Sequence, residues 1–236
     1  MKIINKASVP ARSNPCLLLL SKTPGCLPVK TRLAADIGSD TALAIYCAFL
    51  QDIGHKIQQL GFPLRVHHLP GQAEEKPVLK GLLGDVSDML PQLGEDLGSR
   101  MQHAFECAFA AGHDPVLLIG GDCPDLPPAI LQAAFAALAD HDCVLGPTFD
   151  GGYYLIGFRA CGFAPLVFDF GDWGAQSVYG ETLQRLQTAG IPFAELAAWD
   201  DIDTLAELKR LWQRNQTGWF SNSITMQLLQ ELFADG

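Results

Sequence analysis

The 236 residues carry a formal net charge of −10, and 48% of them have hydrophobic side chains. This composition allows one large α/β domain with a sizeable core, and the acidic balance argues against a protein that binds nucleic acid through a basic face. The seven cysteines are scattered without a C-x-x-C pair, so we expect reduced thiols in a cytoplasmic protein and neither a zinc site nor a disulfide framework.

In chain order, residues 1–14 lack an apolar stretch and are predicted to form a flexible N-terminal extension. No later apolar run is long enough to span a bilayer. The compact run Cys16–Ser21 predicts a first strand. A helix is predicted over Ser39–Leu60, with Ser39 as its N-cap and Gly61 as its stop. One face of this helix carries apolar residues at helical spacing, namely Ala42, Ile45, Phe49, Ile53 and Ile57.

Strands and helices continue to alternate through residue 214, which we take as the end of the main domain. Further strands are predicted at 63–69, 116–119, 143–146, 153–158 and 191–198. Further helices are predicted at 98–111, 127–140, 177–189 and 204–214. The stretch 72–96 is expected to be loop with a short helix. Residues 215–236 are predicted to be a helical extension of the same domain, with Met226, Leu229 and Phe233 turned inward. This alternation predicts a mainly parallel sheet with helices on both faces.

The turn after the strand at 116–119 is the first candidate site. Gly120 and Gly121 allow a sharp turn and the close approach of a ligand. Asp122 then lies just past the carboxyl end of the strand, where open α/β sheets bind their ligands. A carboxylate there is a natural ligand for Mg²⁺ or Mn²⁺ bridged to phosphate.

A basic loop after the first strand is the second candidate. It contains Lys22, Lys30, Thr31 and Arg32, whose side chains and nearby backbone N–H groups are suited to phosphate oxygens. A helix that begins near Val29 would add its free N–H groups to the site. The spacing is not that of a Walker A loop. A solvated surface loop is the better explanation of the charges alone, but the position after the first strand favours a function.

An acidic segment, Asp200–Asp203, follows the last predicted strand. Carboxylates so closely spaced repel one another unless a cation or a helix cap relieves them. Asp201 and Asp203 would face the same way in an extended segment, so they are candidate metal ligands. Asp203 also has an alternative interpretation as the N-cap of the next helix.

Four other features have competing interpretations. The Asp150-Gly151-Gly152-Tyr153 turn is either a plain hairpin turn or part of a pocket for a sugar or acceptor. Trp173 either stacks on such a group or anchors its loop. Asp125 is predicted to cap the helix that follows it, and Cys123 to be a packed thiol. His67 and His68 are interpreted as structural or surface residues.

Five segments in this order resemble one family: KTPGCLPVKTRL, DLGSRMQHAF, LLIGGDCPDL, VLGPTFDGGYYLIGF and WDDIDT. The family is the bacterial set of glycosyltransferase-A-fold proteins described as arsenosugar-biosynthesis-type glycosyltransferases, within the nucleotide-diphospho-sugar transferase superfamily. The resemblance covers roughly 17–211 and implies a Rossmann-like three-layer α/β/α sandwich. The chain is also similar, more distantly, to 2-phospholactate guanylyltransferases.

That second resemblance implies that Lys30 and Arg32 contact phosphate, and that Asp122, Asp201 and Asp203 bind Mg²⁺. Two segments depart from the usual pattern. A Gly-Gly-Asp turn replaces Gly-Ser-Asp, and Asp-Thr-Leu-Ala-Glu-Leu replaces Asp-Thr-Pro-Glu-Asp-Leu. Neither departure removes a proposed ligand.

Three hypotheses follow. The first is a metal-dependent glycosyltransferase that uses a nucleotide sugar and a small-molecule acceptor, with Asp122 and Lys30 as the residues that carry the reaction. The second is a nucleotidyltransferase that joins the nucleotide of an NTP to a phosphorylated acceptor and releases pyrophosphate, which the basic loop favours. The third is a nucleotide-binding protein without catalysis, which the retained carboxylates disfavour. None involves a nucleic acid, and a homodimer stays open.

Overall fold

A seven-stranded sheet lies at the centre of the computed structural model, which describes residues 14–69, 75–169, 173 and 178–234. The strands are β1 (Cys16–Ser21), β2 (Leu64–His68), β3 (Asp88–Pro91), β4 (Val116–Gly120), β5 (Cys143–Pro147), β6 (Tyr153–Phe158) and β7 (Phe193–Glu195). Their order across the sheet is β3-β2-β1-β4-β6-β5-β7. Only β6 runs antiparallel to its neighbours, so the predicted mainly parallel sheet is confirmed.

Helices cover both faces of this sheet. They are α1 (Thr31–Ile37), α2 (Ser39–Leu60), α3 (Glu75–Leu83), α4 (Leu97–Ala110), α5 (Pro128–Ala137), α6 (Val178–Thr188), α7 (Leu205–Arg214) and α8 (Ile224–Ala234). No helix in the described ranges is long and apolar enough to cross a membrane.

The strands bury alternate residues against the two helical layers, as β1 illustrates. Leu17 and Leu19 pack with α2, α3 and α5 on one face. Cys16 and Leu18 pack with α4 and α6 on the other. All four side chains are fully buried. A strand covered on both faces has to be apolar at every position, which is why β1 reads as one uninterrupted apolar run.

The bounds predicted for β1, α2 and β6 are confirmed, as is the buried face of α2. Two details of the helix starts are wrong. Gly38 is the N-cap of α2, so Ser39 is its first helical residue. Pro127 precedes α5, and Asp125 therefore does not cap that helix. The predictions for 1–13 and for a helix start at 177 lie outside the described residues.

A short edge strand, β3, was not predicted. It lies within the stretch 72–96, which was expected to be loop with a short helix, and it follows α3. β3 pairs with β2 and its four residues are only partly buried, so the sequence shows neither an apolar run nor a clear alternation there. His67 and His68 on β2 are both buried, which agrees with a structural role and excludes a surface one.

A third apolar cluster lies between helices, away from the sheet. Leu33 of α1 and Phe49 of α2 pack there with Ile202 and with Met226 and Leu229 of α8. Three residues of α8 were predicted to face inward. Met226 and Leu229 are buried in this cluster, and Phe233 packs against it. Asp52 of α2 accepts hydrogen bonds from the first two N–H groups of α8, at 2.9 Å each. The C-terminal helix is thereby fixed to α2 by both packing and capping.

Asp125 ties the loop after β4 to the end of α7. Its carboxylate is 1% exposed and receives two hydrogen bonds from Arg214, at 2.7 and 3.0 Å. Asn215 and the Trp199 indole also donate to it, at 2.7 and 3.1 Å. These partners satisfy a buried charge that would otherwise be costly. They also fix the position of the loop that carries Asp122.

We expect Asp125→Asn to lower the free energy of unfolding by roughly 3 kcal/mol, because Arg214 would lose its buried carboxylate partner and keep only the ion pair with Asp200. Urea denaturation followed by circular dichroism measures this difference. Asp140→Asn is the matched control, since Asp140 is exposed after α5 and should change stability by less than about 0.5 kcal/mol. Equal midpoints for the two variants would contradict the proposed role of Asp125.

Candidate functional site

The candidate site lies at the carboxyl edge of the sheet. β1, β4 and β5 all end there, and the antiparallel β6 begins there. The basic loop, the turn with Asp122, the Asp150 turn and the acidic segment after β7 therefore lie at one edge, although they are far apart in sequence. This is the edge at which open α/β sheets bind ligands.

Lys30 is the centre of the site. Its ammonium donates to Asp122 Oδ1, to Asp203 Oδ1 at 2.9 Å and to the backbone carbonyl of Ile202. These acceptors lie 92, 173 and 172 residues away in the chain. Ile202 also donates its own N–H to the carbonyl of Asp122, at 3.0 Å. One lysine therefore joins all three loops.

The backbone of Lys30 has an unusual conformation. Its φ of 47° and ψ of 45° lie in the left-handed region, and it is the one non-glycine residue with positive φ among the described residues. Such a conformation is retained where the surrounding structure holds it. Lys30 directly precedes α1, which begins at Thr31, two residues after Val29. The left-handed turn thus places the lysine side chain between the carboxylates as the helix begins.

The Lys30 side chain is 2% exposed and lies 5.5 Å from the centre of the Phe49 ring. Burial by itself lowers the pKa of an ammonium and is the largest single influence on Lys30. Asp122 and Asp203 together outweigh it, so the pKa of Lys30 lies above its ordinary value. The lysine is therefore a permanent cation in this site.

Asp203 is held by two cations. Its second carboxylate oxygen accepts from Arg32, whose side chain is 66% exposed. Burial tends to raise the pKa of Asp203, but Lys30 and Arg32 lower it below its ordinary value. The N-cap of α7 is Thr204, which forms a capping box with Glu207. The alternative interpretation of Asp203 as a cap is therefore wrong.

Asp201 lies in a different environment. Burial raises its pKa to about 6, and the neighbouring carboxylates of Asp150 and Asp203 add to the shift. It does not line the cavity described below, whereas Asp122 and Asp203 do. The structure therefore brings Asp122 and Asp203 together around Lys30 and leaves Asp201 beside them.

Oxygen ligands for a divalent metal are present at this edge. In the described part of the chain, no group of three or more His, Cys, Asp or Glu side chains could hold a metal ion by itself. Mg²⁺ is, however, usually bound by one or two carboxylates together with substrate phosphates. The side chains of Asp122 and Asp203, 47% and 29% exposed, fit that kind of shared site.

A cavity of about 830 Å³ opens at this edge. Most of the residues predicted for the site line it: Lys22, Lys30, Thr31, Arg32, Gly121, Asp122, Asp150, Gly152, Tyr153, Trp173 and Asp203. Gly151 and Asp201 do not. The lining residues that the sequence analysis missed include Tyr46, Gln92, Arg100 and Met101. Arg100 and Met101 lie in the quoted segment DLGSRMQHAF, so that motif could have pointed to them.

The turn between β5 and β6 forms one wall of the cavity. Asp150 accepts from the Thr148 hydroxyl at 2.6 Å and from the Gly152 N–H at 3.0 Å, which are the bonds of an ordinary turn. Gly151 has a φ of +96° that favours glycine. The Tyr153 hydroxyl donates to Met101 Sδ at 3.8 Å, and burial raises its pKa. The plain turn explains the two glycines, and Tyr153 supplies the wall.

Trp173 forms another part of the wall. Its ring stacks on Phe168 with centroids 6.4 Å apart, and it lies directly against Gly98. A Cβ on Gly98 would come within 2.3 Å of the indole, so only glycine allows this contact. Trp173 is thus anchored against α4, and it also lines the cavity, where stacking on a ligand stays a prediction.

Gly121 and Cys123 flank Asp122 in the chain, and both lie against residues of the core. A Cβ on Gly121 would come within 3.2 Å of the Tyr46 hydroxyl, so this glycine allows close packing against α2. Cys123 is buried, and burial raises the pKa of its thiol well above the ordinary value. It is therefore a packed thiol, as predicted, and not a nucleophile.

Lys56 contacts the loop that follows Asp122 from the interior of the protein. Its ammonium is buried, donates to the Pro124 carbonyl at 2.8 Å and lies 5.5 Å from the centre of the Trp219 ring. Burial lowers its pKa to about 8, although Asp125 and Asp52 oppose the shift. Lys56 thus helps to fix the loop two residues beyond Asp122.

Comparison with known proteins identifies one family profile and several solved structures that resemble this chain. A family profile described as "Uncharacterized protein conserved in bacteria (DUF2064)" matches residues 64–175. A crystal structure from Desulfovibrio desulfuricans, provisionally named a nucleotide-diphospho-sugar transferase, is 40% identical to this chain with a TM-score of 0.90. The match covers 94% of this chain and 96% of that protein. No curated protein matches the chain in sequence.

Two more distant structures share the fold. A cytidylyltransferase from Leptospira borgpetersenii is 17% identical with a TM-score of 0.52, and the match covers 94% of this chain and 95% of that one. Rv0371c from Mycobacterium tuberculosis, in complex with manganese, is 18% identical with a TM-score of 0.51. That match covers 85% of this chain and 99% of Rv0371c. These likenesses extend to the fold alone.

The buried Lys56 predicts a pH dependence of stability. Its folded pKa of about 8 lies below the ordinary value of 10.5, so above pH 8 the unfolded chain binds more protons than the folded one. The contribution of Lys56 to stability should therefore rise with pH through this window. Relative to Lys56→Met, the wild type should gain up to about 2 kcal/mol between pH 7 and pH 10. Urea titrations at several pH values measure this gain, and a difference that does not change with pH would contradict it.

Proposed function

The chain belongs to the same family as the Desulfovibrio desulfuricans protein, and from that membership we propose that it is a metal-dependent transferase that acts on a nucleotide sugar. The acceptor would be a small molecule bound between the Asp150 turn and Trp173. The resemblance to arsenosugar-biosynthesis-type glycosyltransferases supports the same class of reaction. A cytoplasmic location is part of the proposal.

The observation that carries the proposal is the cluster of Lys30, Arg32, Asp122 and Asp203 in the lining of one large cavity. Two carboxylates and two cations at the carboxyl edge of the sheet suit a ligand that brings both phosphate and a divalent metal. A purely structural cluster would not need to line a cavity of about 830 Å³, which lies in the size range of ligand pockets.

The residues of the chain would divide the work in the following way. Lys22, Lys30 and Arg32 would bind phosphate oxygens, Lys30 as a point charge and Arg32 through its planar fork. Asp122 and Asp203, with Asp201 beside them, would hold Mg²⁺ or Mn²⁺, which when bound would stabilise the negative charge on the leaving nucleoside diphosphate. Tyr153 and Trp173 would exclude water from the acceptor side.

Nucleotidyl transfer is the second candidate, and the basic loop is the observation that favours it. Lys22, Lys30 and Arg32 all line the cavity, and Lys30 and Arg32 contact the candidate metal ligands. Three cations in the loop after β1 and at the start of α1 suit a triphosphate whose α-phosphate is attacked and whose pyrophosphate leaves. Both candidates use the same cluster, so the bound nucleotide and the released product distinguish them.

A thermal-shift screen of NTPs and nucleotide sugars with Mg²⁺ or Mn²⁺ tests the proposal. A true ligand at about 100 times its Kd should raise the Tm by roughly 5–10 °C. Stabilisation by nucleotide sugars but not NTPs, followed by release of a nucleoside diphosphate with an acceptor, supports the first candidate. Stabilisation by NTPs with release of pyrophosphate selects the second. If none of these ligands shifts the Tm, both are wrong.

Asp122→Asn should abolish the metal-dependent part of this shift, because it removes a charged oxygen ligand at the most exposed carboxylate of the cluster. The fold should persist, since the side chain is 47% exposed. Asp140→Asn is again the matched control and should respond to metal and nucleotide as the wild type does. A wild-type response from Asp122→Asn would show that the metal lies elsewhere.

A further inference from the structure

Lys30 and a divalent cation would compete for the same two carboxylates. We propose that Lys30 is a resident cation that keeps free metal out of the site, and that phosphate of the substrate draws it away so that the metal can bind. The release by phosphate rests on the proposed function. The competition itself rests only on the contacts of Lys30.

Lys30 already uses all of its hydrogen-bond donors. An ammonium has three N–H donors. Lys30 directs them to Asp122, Asp203 and the Ile202 carbonyl. For Lys30 to donate to a phosphate oxygen, at least one of these bonds has to be given up. Phosphate binding and the contacts with the carboxylates are therefore coupled.

Both oxygens of Asp203 already have a cationic partner. One accepts from Lys30 and the other from Arg32. A metal ion that binds Asp122 and Asp203 together would lie next to these two cations and be repelled by them. Arg32 is 66% exposed and contacts Asp203 from one side, whereas Lys30 is 2% exposed and lies between both carboxylates. Repulsion between a divalent ion and an ammonium at such short range makes Lys30 the competitor.

The left-handed backbone at Lys30 also points to a specific use of this side chain. With φ of 47°, this position would suit glycine better than lysine. The lysine is nevertheless found there, with its side chain directed into the cluster and packed over Phe49. The contacts with the carboxylates hold this conformation. The positive charge that offsets Asp122 and Asp203 is therefore supplied by the chain itself. Metal and phosphate would then bind cooperatively, because each favours the released state of Lys30.

Binding of Mn²⁺ alone, without nucleotide, tests the competition. Electron paramagnetic resonance measures the loss of the free Mn²⁺ signal on titration with protein. Lys30→Met removes the charge at similar length, and Lys30→Gly removes it with a residue that accepts the left-handed backbone. Both variants should bind Mn²⁺ at least about tenfold more tightly than the wild type, because the competing cation is gone.

Lys209→Met is the control, because it makes the same change in net charge at an exposed position on α7. It should bind Mn²⁺ within about twofold of the wild type, since exposed charges are largely screened by salt. Arg32→Met should have a smaller effect than either Lys30 variant. The proposal is overturned if both Lys30 variants bind Mn²⁺ no better than the wild type, or if only Arg32→Met tightens binding.

The same variants separate this inference from the proposed function. In the thermal-shift screen, Lys30→Met should weaken stabilisation by the active nucleotide while its affinity for Mn²⁺ alone increases. Failure of every nucleotide to stabilise the wild type would overturn the proposed function and leave the Mn²⁺ comparison intact. A gain in Mn²⁺ affinity without nucleotide is not expected if Lys30 only supports the fold.

Discussion

The buried ammonium of Lys30, shared between two carboxylates, is the contact on which the site depends. It joins the loop after β1 to the turn after β4 and to the segment after β7. A charge this deeply buried is tolerated only when its partners are in place. Any rearrangement of one loop therefore disturbs the electrostatic balance of the other two. The sheet supplies the frame for this contact, because parallel β1 and β4 end at the same edge.

The antiparallel β6 explains how the opposite wall of the cavity is made. Parallel strands deliver the residues that follow them to the carboxyl edge, as β4 does with Asp122. Because β6 runs the other way, it delivers its first residue, Tyr153, and the turn that precedes it. The β5–β6 hairpin thus adds an aromatic residue and a turn to an edge that otherwise holds charged loops.

The sequence predicted the elements whose signals are local. β1 and β6 are apolar runs, and α2 has an apolar face of helical period, so their bounds were correct. β3 was missed because a partly buried edge strand of four residues shows no such pattern. Asp125 fits the capping rule in sequence, yet its partners Arg214 and Asn215 lie 89 and 90 residues away. Contacts at that separation are visible only after the chain has folded.

The same distinction holds inside the site. Residue type and position after a strand were enough to select Lys30, Arg32, Asp122 and Asp203 as candidates. They could not reveal that Lys30 directs its donors to the carboxylates and one carbonyl. That arrangement depends on one left-handed residue and on a segment 173 residues further along the chain. In the proposed function, glycosyl and nucleotidyl transfer would both use the charged cluster around Lys30 to stabilise a leaving phosphate, so this cluster does not discriminate between them. The discrimination between the two reactions would come from the acceptor and the rest of the nucleotide. Those parts of the substrate would meet the other walls of the cavity, where Tyr153 and Trp173 lie.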